Sequence, residues 1–325
     1  MPTIRLPATM RAAAIARFGP PSMLKPHVLP VPEPGPGEVL LALHCAGVGS
    51  WDASIRDGSW RKPGRPKFPL VPGTDGAGIV VARGSRVSRF RIGDRVYGYE
   101  FGNPKGGFYA EYVAVAVKHA GRVPGNLDLF HAGALATTGL TALQGIDRLR
   151  LKRNETVLIF GASGAVGTIA VQFARQSGAR VIGTASGRAA PRLVRRLGAA
   201  AVIDARHGNA IERLRMLAPD GLDAVLALAG GDELERCLEL VRPGGRVVYP
   251  NGVEPAPRRR RRLRQQSYDA VANPQEFAQL ARRIKAARLR VPIAASYPLG
   301  QADRAHRRLE KGQIVGRIVL RIRRP

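Results

Sequence analysis

The chain has 325 residues, 45% of them hydrophobic, which is enough for about two domains with buried cores. No apolar run reaches the roughly 18 residues of a membrane-spanning helix, and the only two cysteines exclude a disulfide framework. The formal net charge of +28 attracts polyanions, but the basic residues are scattered along the chain, so we expect mainly solvated faces that can bind polyanions nonspecifically.

In chain order, residues 10 to about 122 are predicted to be β-rich. Short apolar runs lie there between proline and glycine residues: VLLALHCAGVG, GAGIVVARG and DRVYGYEFG. From about Leu127, strand-like and helix-like segments alternate, which is typical of a parallel sheet with covering helices. The tail adds a helix, PQEFAQLARRIKAARLR, and a strand, VGRIVLRIR. One dense basic run, EPAPRRRRRLRQQ, is predicted to be a mobile loop or an edge strand.

The segment after Thr156 predicts a nucleotide site. TVLIF is a buried-strand pattern, and glycines follow it at G-x-x-G-x-x-G spacing before a helical repeat of apolar residues. Strand, glycine turn and helix N-terminus together direct free N–H groups and the helix dipole at one spot, which suits a diphosphate. We expect Gly161 to permit the turn, Gly164 to let the diphosphate approach, and Gly167 to pack helix on strand. The predicted loop comprises Gly161, Ala162, Ser163, Gly164, Ala165, Val166 and Gly167.

The next predicted strand, RVIGTAS, ends without the acid that binds the ribose 2′-hydroxyl of NAD. Ser186 and Arg188 stand there instead, and a hydroxyl and a guanidinium bind a 2′-phosphate. We therefore predict NADP(H) rather than NAD(H). Asp204 ends the following strand and is expected to lie too far along to replace the acid. Arg192 and Arg206 are second candidates for the phosphate contact.

Motifs in order along the chain resemble the medium-chain dehydrogenase/reductase superfamily. They are MRAAAIARFG, PGEVLLALHCAGVGSWDASIRDG, VPGTDGAGIV, GDRVYGY, GGFYAEYVAV, TGLTALQGI, GASGAVG and RRLEKGQIVGRIVLRI. The chain is most similar to the zinc-independent quinone oxidoreductase branch, the relatives of ζ-crystallin. The resemblance runs from about Met10 to Arg323, and GDRVYG and the glycine loop are its more specific parts.

The resemblance implies an α/β fold, with a Rossmann doubly wound parallel sheet inserted in a GroES-like, β-rich catalytic domain. On that basis, residues 1–124 are the N-terminal part of the catalytic domain, 125–265 the Rossmann NADP-binding domain, and 266–325 the return to the catalytic domain. The family also implies a cleft between the domains and often a homodimer joined through Rossmann edge strands. The arginine run near 258–264 would oppose that joint by charge repulsion.

The family's alcohol dehydrogenases bind catalytic zinc with an early Cys and a His in a G-H-E segment, and a structural zinc with four further Cys. Here GVGSWD has no Cys at the matching place, and the G-H-E position is Gly73-Thr74-Asp75. Because zinc prefers thiolate or imidazole ligands, we predict no zinc. The remaining chemistry is hydride transfer from NADPH to an acceptor that is already electrophilic, a quinone or an α,β-unsaturated carbonyl.

The candidate catalytic segment departs from the family's pattern. Many family members carry Asn and Tyr in G-x-N-x-x-D-x-Y-I-R, whereas here Gly49 and Ser54 replace them and Asp52 remains. Enoyl-thioester reductases have a Tyr donor where Trp60 stands, and an indole is not a proton donor of that kind.

The candidate residues have distinct predicted roles. Asp52 orients a donor or accepts a backbone N–H, and Tyr97 is a candidate oxyanion donor. Trp51 and Trp60 are predicted to form a flat apolar wall for an aromatic acceptor. By resemblance, Thr138 lines the cofactor cleft near the nicotinamide and Asn251 lies near the cofactor.

Three functions stay open at this point: an NADPH-dependent reductase of quinones or enones, an enoyl-CoA-type reductase, and an RNA-binding protein on a reductase fold. The net charge favours the last, but no RNP-like aromatic motif supports it. We expect a small-molecule quinone or enone substrate and no membrane partner. The first residues have no signal-peptide pattern, so a cytoplasmic location is expected.

Overall fold

The structure is a computed structural model that describes residues 6–59, 67–205 and 210–323. Its strands are β1 (Thr9–Ala14), β2 (Lys25–Pro30), β3 (Glu38–Val48), β4 (Asp75–Arg83), β5 (Arg95–Tyr99), β6 (Tyr112–Ala116), β7 (Ala120–Arg122), β8 (Thr156–Phe160), β9 (Arg180–Thr184), β10 (Ala201–Ile203), β11 (Leu222–Ala227), β12 (Val241–Pro250), β13 (Arg264–Tyr268), β14 (Ile293–Pro298) and β15 (Arg317–Arg321). Its α-helices are α1 (Ser50–Asp57), α2 (Leu129–Gly133), α3 (Ala136–Leu149), α4 (Ala165–Gln176), α5 (Ala190–Leu197), α6 (Ala210–Leu217), α7 (Asp232–Leu238), α8 (Pro274–Ala287) and α9 (Ala302–Glu310).

The chain divides into two units. One, called here the β-rich unit, comprises Met1–Thr137, Ala272–Arg282 and Ile293–Pro325. The other, called the α/β unit, comprises Thr138–Val271 and Arg283–Pro292. The domain limits at residues 124 and 265 stay predictions.

The β-rich unit is built on a seven-stranded sheet with the strand order β14-β15-β3-β4-β5-β7, and β6 also pairs with β3. The predicted apolar runs form β3, β4 and β5, each antiparallel to the next. Strand β3 is buried along most of its length because β4, β6 and β15 all pair with it. This arrangement confirms the β-rich, GroES-like part of the fold.

The α/β unit contains a six-stranded parallel sheet with the order β10-β9-β8-β11-β12-β13. In chain order this is the 3-2-1-4-5-6 arrangement of the doubly wound fold, which confirms the Rossmann prediction. The order reverses beside β8. The carboxyl end of β8 therefore faces the crevice in which sheets of this kind bind ligands.

The helices of the α/β unit follow the predicted alternation. AVGTIAVQFARQSG forms α4, and Gly178 follows it with φ of +79°, as predicted for a left-handed C-terminal glycine. The sequence did not indicate α1, α9 or β14, which are short elements. Within the described parts of the chain, no helix is both long and apolar enough to cross a membrane.

A buried arginine joins α1 to α9. Arg56 donates to the Gly19 carbonyl at 2.9 Å and to Nδ1 of His306 at 3.1 Å, and it pairs with Glu310 at 2.8 Å. Burial and the Arg56 charge lower the pKa of His306 to about 3, so this imidazole is neutral. Since its Nδ1 accepts from arginine, its Nε2 carries the hydrogen and donates to the Tyr109 hydroxyl at 3.1 Å.

The basic run is a loop that leads into the edge strand β13. Arg260 pairs with Glu235 on α7 at 2.5 Å. Arg262 donates to the carbonyls of Leu238 and Glu239 at the end of the same helix, at 3.1 and 2.9 Å. These contacts fasten the run to α7, which argues against the mobile loop suggested by the sequence.

Candidate functional site

The glycine loop between β8 and α4 has the geometry that its glycines predict. Gly161 has φ of +88°, a left-handed conformation that a side chain would strain. A Cβ on Gly167 would lie 2.2 Å from the Gly161 carbonyl oxygen and 2.7 Å from the Ala162 Cα. The turn and the close packing of helix on strand therefore require glycine at both positions.

Gly164 differs from both neighbours because nothing in the chain demands a glycine there. Its φ is −73°, and the nearest atom to an added Cβ would be the Gly161 carbonyl oxygen at 3.5 Å, an ordinary contact. The position is open, as expected where a ligand comes close to the backbone.

Some N–H groups of the loop are already used, and others are free for a ligand. The Gly161 N–H donates to the Thr184 hydroxyl at 2.7 Å, and the Ala162 N–H donates to the Thr184 carbonyl at 3.1 Å. Thr168 makes the first hydrogen bond of α4, to Gly164 at 3.0 Å. The N–H groups of residues 165–167 therefore precede the helical ladder and suit an anion.

An acid lies beside the end of β9, although the sequence placed it too far along the chain. The Ser186 hydroxyl donates to Oδ1 of Asp204, which follows β10, at 2.5 Å. The two positions meet because β9 and β10 are parallel neighbours. The expectation that Asp204 is out of reach was therefore wrong, because carboxyl ends of parallel strands share one edge.

The basic candidates around Ser186 are only partly described. Arg188 is exposed, and its guanidinium makes no hydrogen bond or ion pair with the residues that the structure describes. Arg192 is exposed on the first turn of α5, while Arg206 lies outside the described residues. Arg188 is therefore free to meet a phosphate, and its contact with one stays a prediction.

The two residues assigned by resemblance to the cofactor are placed differently. Thr138 is buried within α3. Asn251 follows β12, is exposed, and donates from Nδ2 to Asp269 at 2.8 Å. Their roles beside a cofactor stay predictions.

The aromatic candidates lie in the β-rich unit. Trp51 on α1 is half-buried and meets Phe101 edge to face, with ring centroids 5.8 Å apart, whereas Trp60 lies outside the described residues. Tyr97 is fully enclosed against Phe277, and burial raises the pKa of its phenol. Its hydroxyl has no hydrogen-bond partner among the described residues. The enclosure disfavours the oxyanion-donor role, so we assign this ring to the core.

A buried ion pair lies beside Asp52, and the sequence reading did not anticipate it. Arg317 on β15 donates to Oδ1 of Asp75 at 2.8 Å, and Oδ2 of Asp75 accepts the Thr137 N–H at 2.9 Å. Asp75 is 0% exposed and Arg317 is 7% exposed. The sequence did contain a signal for this ion pair. Two apolar strand patterns each carry one charge, the acid in GTDGAGIV and the arginine in VGRIVLRI.

Two glycines leave room for that guanidinium. A Cβ on Gly47 would lie 2.5 Å from Nη2 of Arg317, and one on Gly49 would lie 3.1 Å from Nη1. Gly49 is the position that the resemblance matches to the family's Asn. In this chain the guanidinium of Arg317 fills the space beside that glycine.

Asp52 is a buried acid at the start of α1. Its Oδ2 accepts the Gly49 N–H at 2.8 Å, the second of the two roles that the sequence suggested, and its Oδ1 has no hydrogen-bond partner in the described chain. Burial raises the pKa of Asp52 to about 6, although the nearby Arg317 charge lowers it. The Asp52 carboxyl therefore keeps its proton to a higher pH than an exposed aspartate does.

The residues at the zinc positions of the family do not fit a zinc ion. Gly49 and Thr74 offer no thiolate or imidazole, and Asp75 is paired with Arg317. Burial raises the pKa of the Cys45 thiol, which disfavours a thiolate. Within residues 6–59, 67–205 and 210–323, no three His, Cys, Asp or Glu side chains are grouped to hold a metal.

Comparisons with known proteins agree with this fold. A family model described as "Alcohol dehydrogenase GroES-like domain" matches residues 35–125, and one described as "Zinc-binding dehydrogenase" matches residues 197–320. The quinone oxidoreductase of Mus musculus is 32% identical over 317 residues, covering 91% of this chain and 93% of the relative.

Solved structures lead to the same group. The quinone oxidoreductase from Coxiella burnetii has a TM-score of 0.82 and 29% identity, covering 97% of this chain and 100% of that one. The Escherichia coli quinone oxidoreductase complexed with NADPH has a TM-score of 0.85 and 25% identity over the same shares.

The GroES-like unit and the Rossmann unit with its glycine loop define a dehydrogenase/reductase of the medium-chain type. The chain belongs to the quinone oxidoreductase-like family of the medium-chain dehydrogenase/reductase superfamily, and it is an oxidoreductase.

Proposed function

We propose that the protein transfers a hydride from NADPH to a quinone or an α,β-unsaturated carbonyl without zinc. The observation that carries the proposal is the open backbone at Gly164 together with the free guanidinium of Arg188. The first suits a diphosphate and the second a 2′-phosphate. The NADPH complex of the Escherichia coli relative supports the same cofactor.

The residues of the α/β unit bind and orient the cofactor in this proposal. The N–H groups of residues 165–167 hold the diphosphate, while Gly161 and Thr184 fix the turn beneath it. Arg188 holds the 2′-phosphate, together with Ser186 once its hydroxyl exchanges Asp204 for the phosphate. Bound NADPH supplies the hydride, and Thr138 and Asn251 are proposed to border the nicotinamide.

The acceptor must itself stabilise the negative charge that develops on it during hydride transfer. Gly49 and Thr74 give no ligand to a Lewis acid, so no side chain there holds a metal that would polarise a simple carbonyl. A quinone or an enone spreads the charge by conjugation. Trp51 is proposed to offer a flat apolar surface to such an acceptor.

The experiment is a steady-state screen of NADPH oxidation with quinones, enones and enoyl-CoA thioesters, with the zinc content of the enzyme measured alongside. The proposal predicts turnover with a quinone or an enone and less than one zinc per ten chains. Turnover confined to enoyl-CoA thioesters supports the enoyl reductase instead. Zinc-dependent alcohol oxidation contradicts the proposal.

Arg188→Ala is expected to remove most of the preference for the 2′-phosphate. A hydrogen bond to a charged group contributes about 1.5–3 kcal/mol, so the affinity for 2′,5′-ADP should fall about 10- to 100-fold. The affinity for 5′-AMP, which lacks the 2′-phosphate, should change little. Calorimetric titration of both nucleotides gives the ratio.

Two variants test the assignment of this contact. Arg195→Ala, an exposed arginine further along α5, should keep the ratio of the two affinities. Asp204→Asn should raise the affinity for 2′,5′-ADP, because a carboxylate beside Ser186 repels a phosphate while an amide oxygen still accepts the Ser186 hydroxyl. An unchanged ratio in Arg188→Ala would show that another group binds the phosphate.

Gly164→Ala is expected to weaken NADPH binding by about tenfold or more while the fold survives, because its Cβ enters the diphosphate approach without meeting the chain. Fluorescence titration with NADPH and the thermal midpoint measure the two effects. Gly125→Ala is the control, since nothing in the β-rich unit lies within 4 Å of a Cβ there. Unchanged NADPH affinity in Gly164→Ala would contradict the predicted binding mode.

A further inference from the structure

A second basic site lies in the α/β unit, away from the glycine loop. A cavity of about 380 Å³ is bordered by the C-terminal ends of α4 and α5 and by the chain that leaves α8. Its polar lining residues are Gln172, Arg175, Gln176, Arg196, Arg288 and Arg290. Since α4 begins at the glycine loop and a helix rises about 1.5 Å per residue, its other end lies roughly 16 Å away. The cavity therefore lies at the other end of α4 from the predicted diphosphate contact.

The charge of this cavity is not compensated by the protein. All four arginines are exposed, and their guanidiniums make no hydrogen bond or ion pair within the part of the chain that the structure describes. None of the lining residues is an Asp or a Glu.

Carboxylates of the same unit are paired with other arginines. The pairs are Asp147 with Arg283 at 3.0 Å, Glu155 with Arg246 at 2.7 Å, Asp223 with Arg242 at 2.8 Å and Glu235 with Arg260 at 2.5 Å. The four cavity arginines have no such carboxylate partner among the residues that the structure describes, so they remain available to an anion from solution.

The backbone of the cavity wall is held in place. The Gln172 amide donates to the Arg290 carbonyl at 2.8 Å and accepts the Arg290 N–H at 2.9 Å. Because Gln172 lies on α4, this paired contact ties the segment after α8 to that helix. Arg288 and Arg290 are thus kept beside Arg175.

Arg288 occupies a position that favours glycine. Its φ is +46°, in the left-handed region, directly after α8. Glycine, and less often asparagine, normally ends a helix in this conformation because a Cβ is strained there. The chain keeps a guanidinium on the cavity despite that strain.

We propose that this cavity binds a compact compound with several phosphate groups. Guanidinium groups pair with phosphate oxygens through two parallel hydrogen bonds, so converging arginines suit a ligand with several phosphates. The volume is within the range of about 300–1,000 Å³ of small-molecule pockets. The site is separate from the proposed cofactor site and does not depend on it.

Calorimetric titration with inorganic tripolyphosphate at 150 mM salt tests the proposal, because attraction over more than about 8 Å is screened there. The wild type is expected to bind saturably at the cavity, in addition to any binding at the glycine loop. Arg175→Ala/Arg288→Gly should bind at least tenfold more weakly, and Arg196→Ala, which leaves α8 untouched, at least threefold more weakly.

Arg150→Gly is a matched control. Arg150 is also exposed and left-handed, with φ of +47°, and ends α3 in the same unit outside the cavity. The affinity of Arg150→Gly for tripolyphosphate should stay within twofold of the wild-type value. The proposal is overturned if the wild type shows no saturable binding, if the cavity variants bind like the wild type, or if Arg150→Gly loses as much affinity as they do.

Discussion

Replacing Arg317 by methionine is expected to lower the free energy of unfolding of the β-rich unit by about 3–5 kcal/mol. The substitution leaves the Asp75 carboxylate, which is 0% exposed, without the guanidinium that lies 2.8 Å away. The remaining hydrogen bond from the Thr137 N–H does not compensate a buried charge. Urea unfolding followed by tryptophan fluorescence measures the loss, since both tryptophans precede Thr137 in the chain.

Two further variants separate charge from packing. Arg321→Met lies on the same strand but is exposed, so it should change the stability by no more than about 0.5 kcal/mol. Asp75→Asn/Arg317→Met removes both charges while an amide oxygen can still accept the Thr137 N–H, so it should be more stable than Arg317→Met. A loss below about 1 kcal/mol in Arg317→Met would contradict the role of the pair.

Asp52→Asn is expected to change how stability depends on pH. Burial raises the pKa of Asp52 from 3.8 to about 6. Between pH 3.8 and pH 6 the Asp52 carboxyl holds its proton in the folded chain and has lost it in the unfolded chain. The free energy of unfolding therefore falls as pH rises through this range. The full effect is about 3 kcal/mol and is present above pH 6.

Asp52→Asn does not lose stability in this way as pH rises, because the amide side chain does not ionise. The difference in unfolding free energy, variant minus wild type, should therefore grow by about 2.5 kcal/mol from pH 4 to pH 7.5, because about 0.5 kcal/mol of the effect is already present at pH 4. Asp57→Asn, at an exposed acid at the end of the same helix, is the control, and the change with pH should be larger in Asp52→Asn. If the Asp52→Asn difference is flat, or shrinks as pH rises, then the buried acid is not protonated as described.

The sequence was sufficient for the glycine loop because each requirement there is local. A left-handed Gly161 and a crowded Gly167 are consequences of a strand, a turn and a helix that follow each other directly. The alternation of strands and helices likewise determined a parallel sheet before any contact was known.

Contacts between distant segments could not be predicted in the same way. Asp204 meets Ser186 only because β9 and β10 are parallel neighbours, and Arg317 meets Asp75 across 242 positions of sequence. Tyr97 was a plausible donor by residue type, but burial is a property of the whole β-rich unit. Pairing partners and burial of this kind depend on tertiary packing, which periodicity does not encode.

Ser186 and Arg188 are proposed to select the cofactor with a 2′-phosphate, on a diphosphate site at Gly164. Fluorescence titration of the wild-type enzyme with NADPH and NADH, side by side in one buffer, tests it most directly. Our account predicts a dissociation constant for NADPH that is lower by about tenfold or more. Equal constants, or tighter binding of NADH, would contradict it.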